Sequence, residues 1–375
     1  MVVVKIRSQN RLAEVRKRQG VGATDLARRI GVSRQTIYAI EAGTFIPNTQ
    51  VALSLARELR STVEELFSVH AESGTKFETF SADVLSAGEL AKGQPVRISK
   101  IGSRWVSVPV SSIPYYLPEA DGVIGRVNYG GRAGLAVFDR AETFDKRLVL
   151  AGCDPATNLL ARMVERVTGV EVVSAAASSK LALTWLKEGK VHLAGSHLED
   201  PETGEFNLPF LKSEFPDEDF RVVTFAQWEE GLVVAPQNPQ QIRKVEHLAR
   251  KNVRFSNREP GSGSRALLDE LIIDAGMSPA QIEGYNRISY GHLAAAYTVA
   301  WGEADCCLAT RSAARTFGLD FIPLRFERYD MVMRRQTMEL PAAQAFLDVL
   351  QQATLRRRLE VLAGYDTSRT GAVLV

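Results

Sequence analysis

Between Ala23 and Pro47 the chain spaces its apolar residues, glycines and capping residues in a way that few folds accommodate. Ala23 to Ile30 reads as a short amphipathic helix stopped by Gly31, and Ser33 is placed to N-cap a second helix over Arg34 to Ala42. With Leu26, Ala27, Ile30, Val32, Ile37 and Ile40 facing one another across a tight glycine turn, the pair makes a helix-turn-helix. The second helix then presents Arg34, Gln35, Thr36 and Tyr38 outward, residue types that reach base edges and phosphates in a major groove. Thr24 and Ser33, at the starts of the two helices, complete the candidate DNA-binding set. Asn10 to Gln19 is helical in pattern before this pair. After it, Pro47-Asn48-Thr49 opens a helix carrying Val51, Leu53, Leu55, Ala56 and Leu59. Ser61-Thr62-Val63-Glu64 is a capping box for a fifth helix that buries Leu66 and Phe67.

The order Leu26-Ala27, Gly31-Val32-Ser33, Ile37, Ile40-Glu41-Ala42-Gly43 and Pro47 resembles the lambda-repressor/Cro-like (XRE) family over the whole five-helix unit, residues 8–68. The resemblance implies a homodimer on a near-palindromic double-stranded DNA operator. One departure is Ala23, where many members place a Gln that buttresses the first base contacts; it bears on operator choice. Charge agrees with a DNA-facing head: Met1 to Ser68 holds 11 Lys/Arg against 6 Asp/Glu, and the remainder 35 against 38.

At 375 residues the chain is too long for one ordinary domain. The 45% hydrophobic and 24% charged residues are those of a soluble globular protein. The apolar run at Met1 to Arg7 is too short for a signal peptide and no long apolar span follows, so a cytoplasmic protein with no membrane partner is expected. Three cysteines (Cys153, Cys306, Cys307) and five histidines (His70, His192, His197, His247, His292) show no spacing of a disulfide frame or metal site. Cys153, before a helix, is open to a nucleophilic reading, but nothing in the sequence identifies its base. There is no Walker motif, dinucleotide fingerprint or Gly-x-Ser-x-Gly elbow. The sequence thus predicts no enzyme, no catalytic residues, no metal ligands and no cofactor.

Ser73-Gly74-Thr75 reads as a linker, and residues 76–140 as a small β-unit. Alternation appears in Val96 to Ile101, Arg104 to Val110 and Gly134 to Phe138, with turns at Gly93, Gly102-Ser103 and Gly130-Gly131. The run Leu117-Pro118-Glu119-Ala120-Asp121-Gly122-Val123-Ile124 resembles the C-terminal β-barrel of molybdopterin molybdenumtransferases. Their catalytic domain has no counterpart here, so a spacer or dimer contact is the simplest role.

Residues 146–370 alternate apolar strands with helices, as in Arg147 to Gly152, Cys153 to Val167, Val170 to Val173, Ser178 to Leu186 and Lys190 to Ala194. That rhythm predicts α/β with a mainly parallel sheet, whose ligands sit where strands turn into helices. Three of four such turns carry serine beside glycine or another serine: Ala177-Ser178-Ser179, Gly195-Ser196-His197 and Gly261-Ser262-Gly263-Ser264-Arg265. Unpaired N–H groups and the positive dipole end at a helix start suit an oxyanion, and Arg265 adds a charged fork.

The segments Gly195 to Leu198, Thr203 to Asn207, Asn257 to Arg265 and Glu327 to Asp330 are similar to type II periplasmic-binding-protein domains, two-lobed α/β folds here fused to a regulator. Close relatives include molybdate- and tungstate-binding domains, in which the segment matching Ala176 to Leu181 supplies a serine hydroxyl and amide N–H groups to the anion. The resemblance implies a ligand site from Ser178, Ser179, Ser196, His197, Ser262, Gly263, Ser264, Arg265 and Tyr329. Asp154, where that family often has serine, is expected to cap its helix. The fold class read from the whole chain is multidomain: an all-α head, a small β-unit and an α/β two-lobed body. The leading function is a ligand-responsive transcriptional regulator sensing molybdate or tungstate. The alternatives are a cytoplasmic protein storing or delivering molybdenum or tungsten oxyanion for cofactor synthesis, and a regulator sensing an organic solute.

Overall fold

The computed structural model describes residues 7–70, 78–110, 117–216 and 220–375, and the proposed linker at Ser73 to Thr75 lies outside them. The chain forms two compact units that divide at Lys76/Phe77. In the first, strand β1 (Arg7–Asn10) precedes helices α1 (Leu12–Arg18), α2 (Ala23–Ile30), α3 (Arg34–Glu41), α4 (Thr49–Glu58) and α5 (Val63–Leu66). Strand β2 (Phe67–His70) then returns antiparallel to β1, from Arg7↔His70 to Asn10↔Phe67. Ser33 and Asn48 each accept a first-turn N–H and Gly31 ends α2 in the left-handed region, as expected. The fifth helix is capped one residue later than the Ser61 to Glu64 box predicts, by Thr62, while Ser61 donates to the Glu65 carboxylate. Leu12, Val15, Leu26, Ile37, Ile40, Leu55, Leu59 and Leu66 are fully buried in one core. Arg16 pairs with Glu41 at 2.6 Å and ties α1 to the end of α3. Phe67, expected to be buried in the fifth helix, is only partly covered and begins β2.

The second unit opens with strands β3 (Glu78–Val84), β4 (Pro95–Ile101), β5 (Arg104–Pro109), β6 (Gly122–Val127) and β7 (Arg132–Val137), closed as a barrel in the order β3-β5-β4-β6-β7. It is not an isolated bead. Leu85, Val106 and Val108 share a core with Val149, Val173 and Leu183 of the body. Beside that core, Arg147 donates to both oxygens of Asp121 at 2.6 and 3.1 Å and to the Ile98 carbonyl at 2.8 Å. Arg97 reaches Asp121 at 3.2 Å, and both arginines also meet Glu171.

The body contains β8 (Leu148–Gly152), α6 (Thr157–Thr168), β9 (Val172–Ala176), α7 (Ser179–Lys187), β10 (Leu193–Ser196), α8 (Leu208–Glu214) and the long β11 (Phe220–Val234). Next come β12 (Phe255–Arg258), α9 (Gly263–Asp274), β13 (Ile288–Ser289), α10 (His292–Ala300), β14 (Cys306–Thr310) and α11 (Arg311–Thr316). A second long strand, β15 (Asp320–Arg334), returns to α12 (Arg335–Met338), α13 (Pro341–Leu350), α14 (Ala353–Val361) and β16 (Tyr365–Asp366). One sheet runs β13-β12-β14-β11-β15-β10-β8-β9, with β16 on β11. The outer strands of each half are parallel, but β11 is antiparallel to both β14 and β15, and β15 to β10. The sheet is therefore mixed rather than mainly parallel, because two strands must cross between the halves and one runs back. Each half is covered on both faces, the first by α7 and α8 or α6, α13 and α14, the second by α9 or by α10 and α11. Two lobes on one pair of crossing strands result. Among the described residues no helix is long and apolar enough to cross a membrane.

Removing Asp121 strands two largely buried guanidinium groups between barrel and body, a loss of a kind that costs about 3–5 kcal/mol. Asp121→Ala is expected to lower urea stability by about 3 kcal/mol, since Glu171 retains part of the pairing. Glu119→Ala, which removes a carboxylate from Arg97 that is itself 79% exposed, should cost less than about 1 kcal/mol. Equal losses in the two unfolding curves would count against this junction.

Candidate functional site

In the head, the outward face of α3 is built as the spacing requires. Arg34, Gln35 and Tyr38 are exposed, and Thr24 is exposed at the start of α2. Arg34 donates to the Tyr38 hydroxyl at 3.1 Å and its guanidinium lies 5.2 Å from that ring centroid, which holds it extended along the helix. Ser33 and Thr36 are engaged with each other at 2.8 Å. Ser33 thus serves the helix start, while Gln35, and Arg34 braced on Tyr38, stay exposed on the outward face.

In the body, a cavity of about 690 Å³ opens between the lobes at strand ends. Its walls are the β8–α6 turn (Gly152, Cys153, Asp154, Pro155), the β9–α7 turn (Ala176, Ala177, Ser178, Lys180), the segment Glu259 to Gly261, and Tyr290 to Ala294. The opening residues of α6, α7 and α10 all line it, so three positive dipole ends meet in one space, although the Thr157, Lys180 and Leu181 amides are bonded to Asp154, Gly261 and Ser178. Lys180 adds a cation. Glu259 would oppose an anion, but Arg258 clamps it with bonds of 2.9 and 3.0 Å. Burial alone would raise the Glu259 carboxyl; Arg258 outweighs it and holds the group below the usual range.

The nine residues proposed from sequence separate into three groups. Ser178 lines the cavity and N-caps α7 through the Leu181 N–H. Ser179, Ser196, His197, Gly263, Ser264 and Tyr329 are buried and absent from its walls. Ser179 accepts the His197 N–H at 3.2 Å, and Ser264 accepts from Arg258 at 3.2 Å. Tyr329 receives the Cys153 N–H at 3.2 Å, and a side chain at Gly195 would overlap its ring, so that glycine is needed for close approach. Gly263 faces the His197 ring in the same way. Ser262 caps α9, and with Arg265 it borders a separate small recess rather than the main cavity. Arg265 is drawn away by Asp269, one helical turn on at 3.2 Å, and by the Tyr285 ring at 4.0 Å. Asp154 does precede a helix as expected, but it accepts from the Ala156 N–H at 2.5 Å and from Tyr365 at 2.9 Å, two residues ahead of the N-cap.

Beneath the cavity lies a buried polar cluster. Cys153 Sγ is 3.4 Å from His197 Nε2, and His197 Nδ1 is 2.6 Å from Glu327 Oε2. His292 Nδ1 is 3.7 Å from Glu230 Oε1, and the His197 and His292 rings are 5.8 Å apart. Burial pushes Glu230 up to about 8, with the Glu327 charge adding to the rise. Burial would lower His197, but Cys153 and Glu327 outweigh it and raise the imidazole well above its ordinary value. Burial, with Arg258 and His197, drives His292 well below it. Sequence reading placed no metal ligands or base here, because spacing cannot show that Cys153, His197 and His292 meet with ligand atoms all within 4.8 Å. The signals available were the Asn257 to Arg265 and Glu327 to Asp330 segments, which hold Arg258 and Glu327, and the Gly195 to Leu198 segment, which holds His197; nothing marked Glu230.

The PBP superfamily domain model matches residues 160–351 and a helix-turn-helix model residues 12–66. The chain is 33% identical over 228 residues to YvgK of Bacillus subtilis, which covers 61% of this chain and 73% of that protein. Over 59 residues it is 37% identical to the HTH-type transcriptional regulator MJ0272 of Methanocaldococcus jannaschii, covering 16% of this chain and 89% of the relative. Among solved structures, a phosphate ABC transporter substrate-binding protein with bound phosphate from Clostridium perfringens superposes with a TM-score of 0.46 at 12% identity, over 59% of this chain and 99% of that one.

Asp154 gives this site a pH signature. Burial raises its carboxyl from 3.8 to about 7. A raised value means the folded state holds the proton that the unfolded state has released, so stability falls as pH rises from about 4 to about 7 and levels above. The slope from this group is about 1.4 kcal/mol per pH unit. Asp154→Asn should remove that part of the fall and leave the protein more stable than wild type at pH 8, as read from denaturation midpoints across pH. An unchanged pH profile would contradict the assignment.

Proposed function

Because this chain belongs to the PBP superfamily and carries a helix-turn-helix unit, we propose that it is a ligand-responsive DNA-binding transcriptional regulator whose interlobe cavity senses a small anion. The observation that carries the reading is the meeting of three helix N-termini and Lys180 in one cavity beside a neutralised Glu259. Molybdate and tungstate are the first anions to test: the Ser178 hydroxyl and the Lys180 ammonium face the cavity, while the Ala177, Lys180 and Leu181 amides of the β9–α7 turn are bonded to Gly152, Gly261 and Ser178. Arg265 is not part of that site, since Asp269 and Tyr285 already hold it. A second reading, an organic anion such as a carboxylated or phosphorylated solute, is favoured by the cavity volume of about 690 Å³, which lies in the range that encloses a whole organic ligand.

The head reads the operator through Arg34 and Gln35, as a homodimer on two half-sites. Such a regulator works in the cytoplasm, where its DNA is. The ligand shifts the lobes toward a closed state and so changes operator affinity by its preference for that state.

An operator selected from random duplexes by the full-length protein supplies the test. Arg34→Ala and Gln35→Ala are each expected to lower its affinity by about 1–3 kcal/mol if a bidentate base contact is lost. In calorimetry with molybdate, tungstate, sulfate and a panel of organic anions, Ser178→Ala should weaken the binding species by about 1.5–3 kcal/mol. Lys180→Ala should weaken it as well, and Arg265→Ala should not. Binding that survives Ser178→Ala and Lys180→Ala but is lost in Arg265→Ala would move the site to the smaller recess, and operator binding indifferent to every anion would remove the sensing reading.

A further inference from the structure

We propose that Cys153, His197 and His292 form a binding site for a zinc-class transition-metal ion, placed at the floor of the cavity so that the ion joins the two lobes. Cys153 follows β8 and His197 follows β10, both in the first lobe, whereas His292 opens α10 in the second. Their ligand atoms lie within 4.8 Å of one another. A thiolate and an imidazole nitrogen on one tetrahedral zinc, with bonds of about 2.3 and 2.0–2.1 Å, are held about 3.5 Å apart. Sγ of Cys153 and Nε2 of His197 are already 3.4 Å apart.

The surroundings are those of ligands rather than of satisfied core residues. Glu327 Oε2 engages His197 Nδ1 at 2.6 Å and is itself approached by Trp228 Nε1 at 3.4 Å, which orients Nε2 toward the ion. His292 is 1% exposed, yet neither ring nitrogen makes a hydrogen bond. Glu230 Oε1 lies 3.7 Å from its Nδ1, beyond hydrogen-bond distance, and neither Glu230 oxygen makes a hydrogen bond. The contrast is His192, also buried, whose Nδ1 accepts the Val149 N–H at 3.0 Å and which has a structural use. A thiol nucleophile with His197 as base and Glu327 as orienting group uses the same first pair but leaves His292 and Glu230 without a purpose. Cys153 and His292 also line the cavity, so a fourth position faces it and is open to the anion of the proposed function. The inference rests on that cavity being the regulatory site only for this last step.

The test uses the full-length protein, reduced and treated with chelator, and titrated with Co²⁺ and then Zn²⁺ in the absence of DNA and of added anions. One Co²⁺ per chain is expected, with a thiolate-to-cobalt charge-transfer band and the absorption of a four-coordinate ion, bleached by one equivalent of Zn²⁺. Cys153→Ser should abolish the charge-transfer band, and both it and His292→Gln should weaken binding by about tenfold or more. His247→Gln, outside the cluster, should change neither. In the wild type, without any substitution, Zn²⁺ should slow alkylation of Cys153 by iodoacetamide by about tenfold or more. Absence of stoichiometric Co²⁺ binding, or identical titrations for Cys153→Ser, His292→Gln and wild type, overturns the site. Rapid alkylation of Cys153 that Zn²⁺ does not slow overturns it too, in favour of the nucleophile. None of these readouts involves an operator or an anion, so the metal site and the anion-sensing reading can fail independently.

Discussion

The antiparallel ladder between β11 and β15 is the constraint on which the body depends. Two strands of 15 residues pair from Phe220↔Arg334 to Val234↔Asp320, and the lobes hang from opposite ends of that ladder. Its regularity breaks twice, between Thr224 and Ala226 and between Glu230 and Gly231. Such breaks bend and twist a strand locally. Trp228, Tyr329, Glu230 and Glu327 lie between or beside them, all buried. Glu230 and Glu327, the two carboxyls of the buried cluster, therefore sit where this ladder bends.

Burying so many ionisable groups in one place has a consequence that individual pairs do not have. Arg258 and Glu259 neutralise each other, and His197 is paired with Cys153 and Glu327. Glu230, Asp154 and His292 are pushed toward their neutral forms by burial. The desolvation cost is thus met partly by pairing and partly by protonation. An apolar core of the same volume is often as stable or more so. The polar cluster's place directly below the cavity is the observation behind the metal site proposed above.

How much was legible beforehand depended on sequence distance. The head was readable because each determinant, Leu26 to Gly31, Ser33 and Ile37 to Gly43, acts on its neighbours in the chain. The α/β rhythm and the serine at the start of α7 were readable for the same reason. Its β1–β2 pair was not, since four-residue strands joined across sixty residues leave no period. Arg265 was misplaced because a charge at a turn shows only that a fork exists. Asp269, one helical turn on, and Tyr285 decide where it points. The cluster of Cys153, His197, Glu230, His292 and Glu327 draws one residue from each of five segments, and only the crossing strands bring them together.

The pairing of β1 with β2 gives the head a property of its own. Arg7 lies opposite His70, so the segment leading into the helices and the one leaving them run side by side. A module whose two ends coincide needs no particular distance between its points of attachment. It can be grafted at the front of unrelated bodies, or carried into a loop, without being pulled open. Modularity of this kind lets one DNA-reading head be recombined with many sensing partners while its own core is left undisturbed.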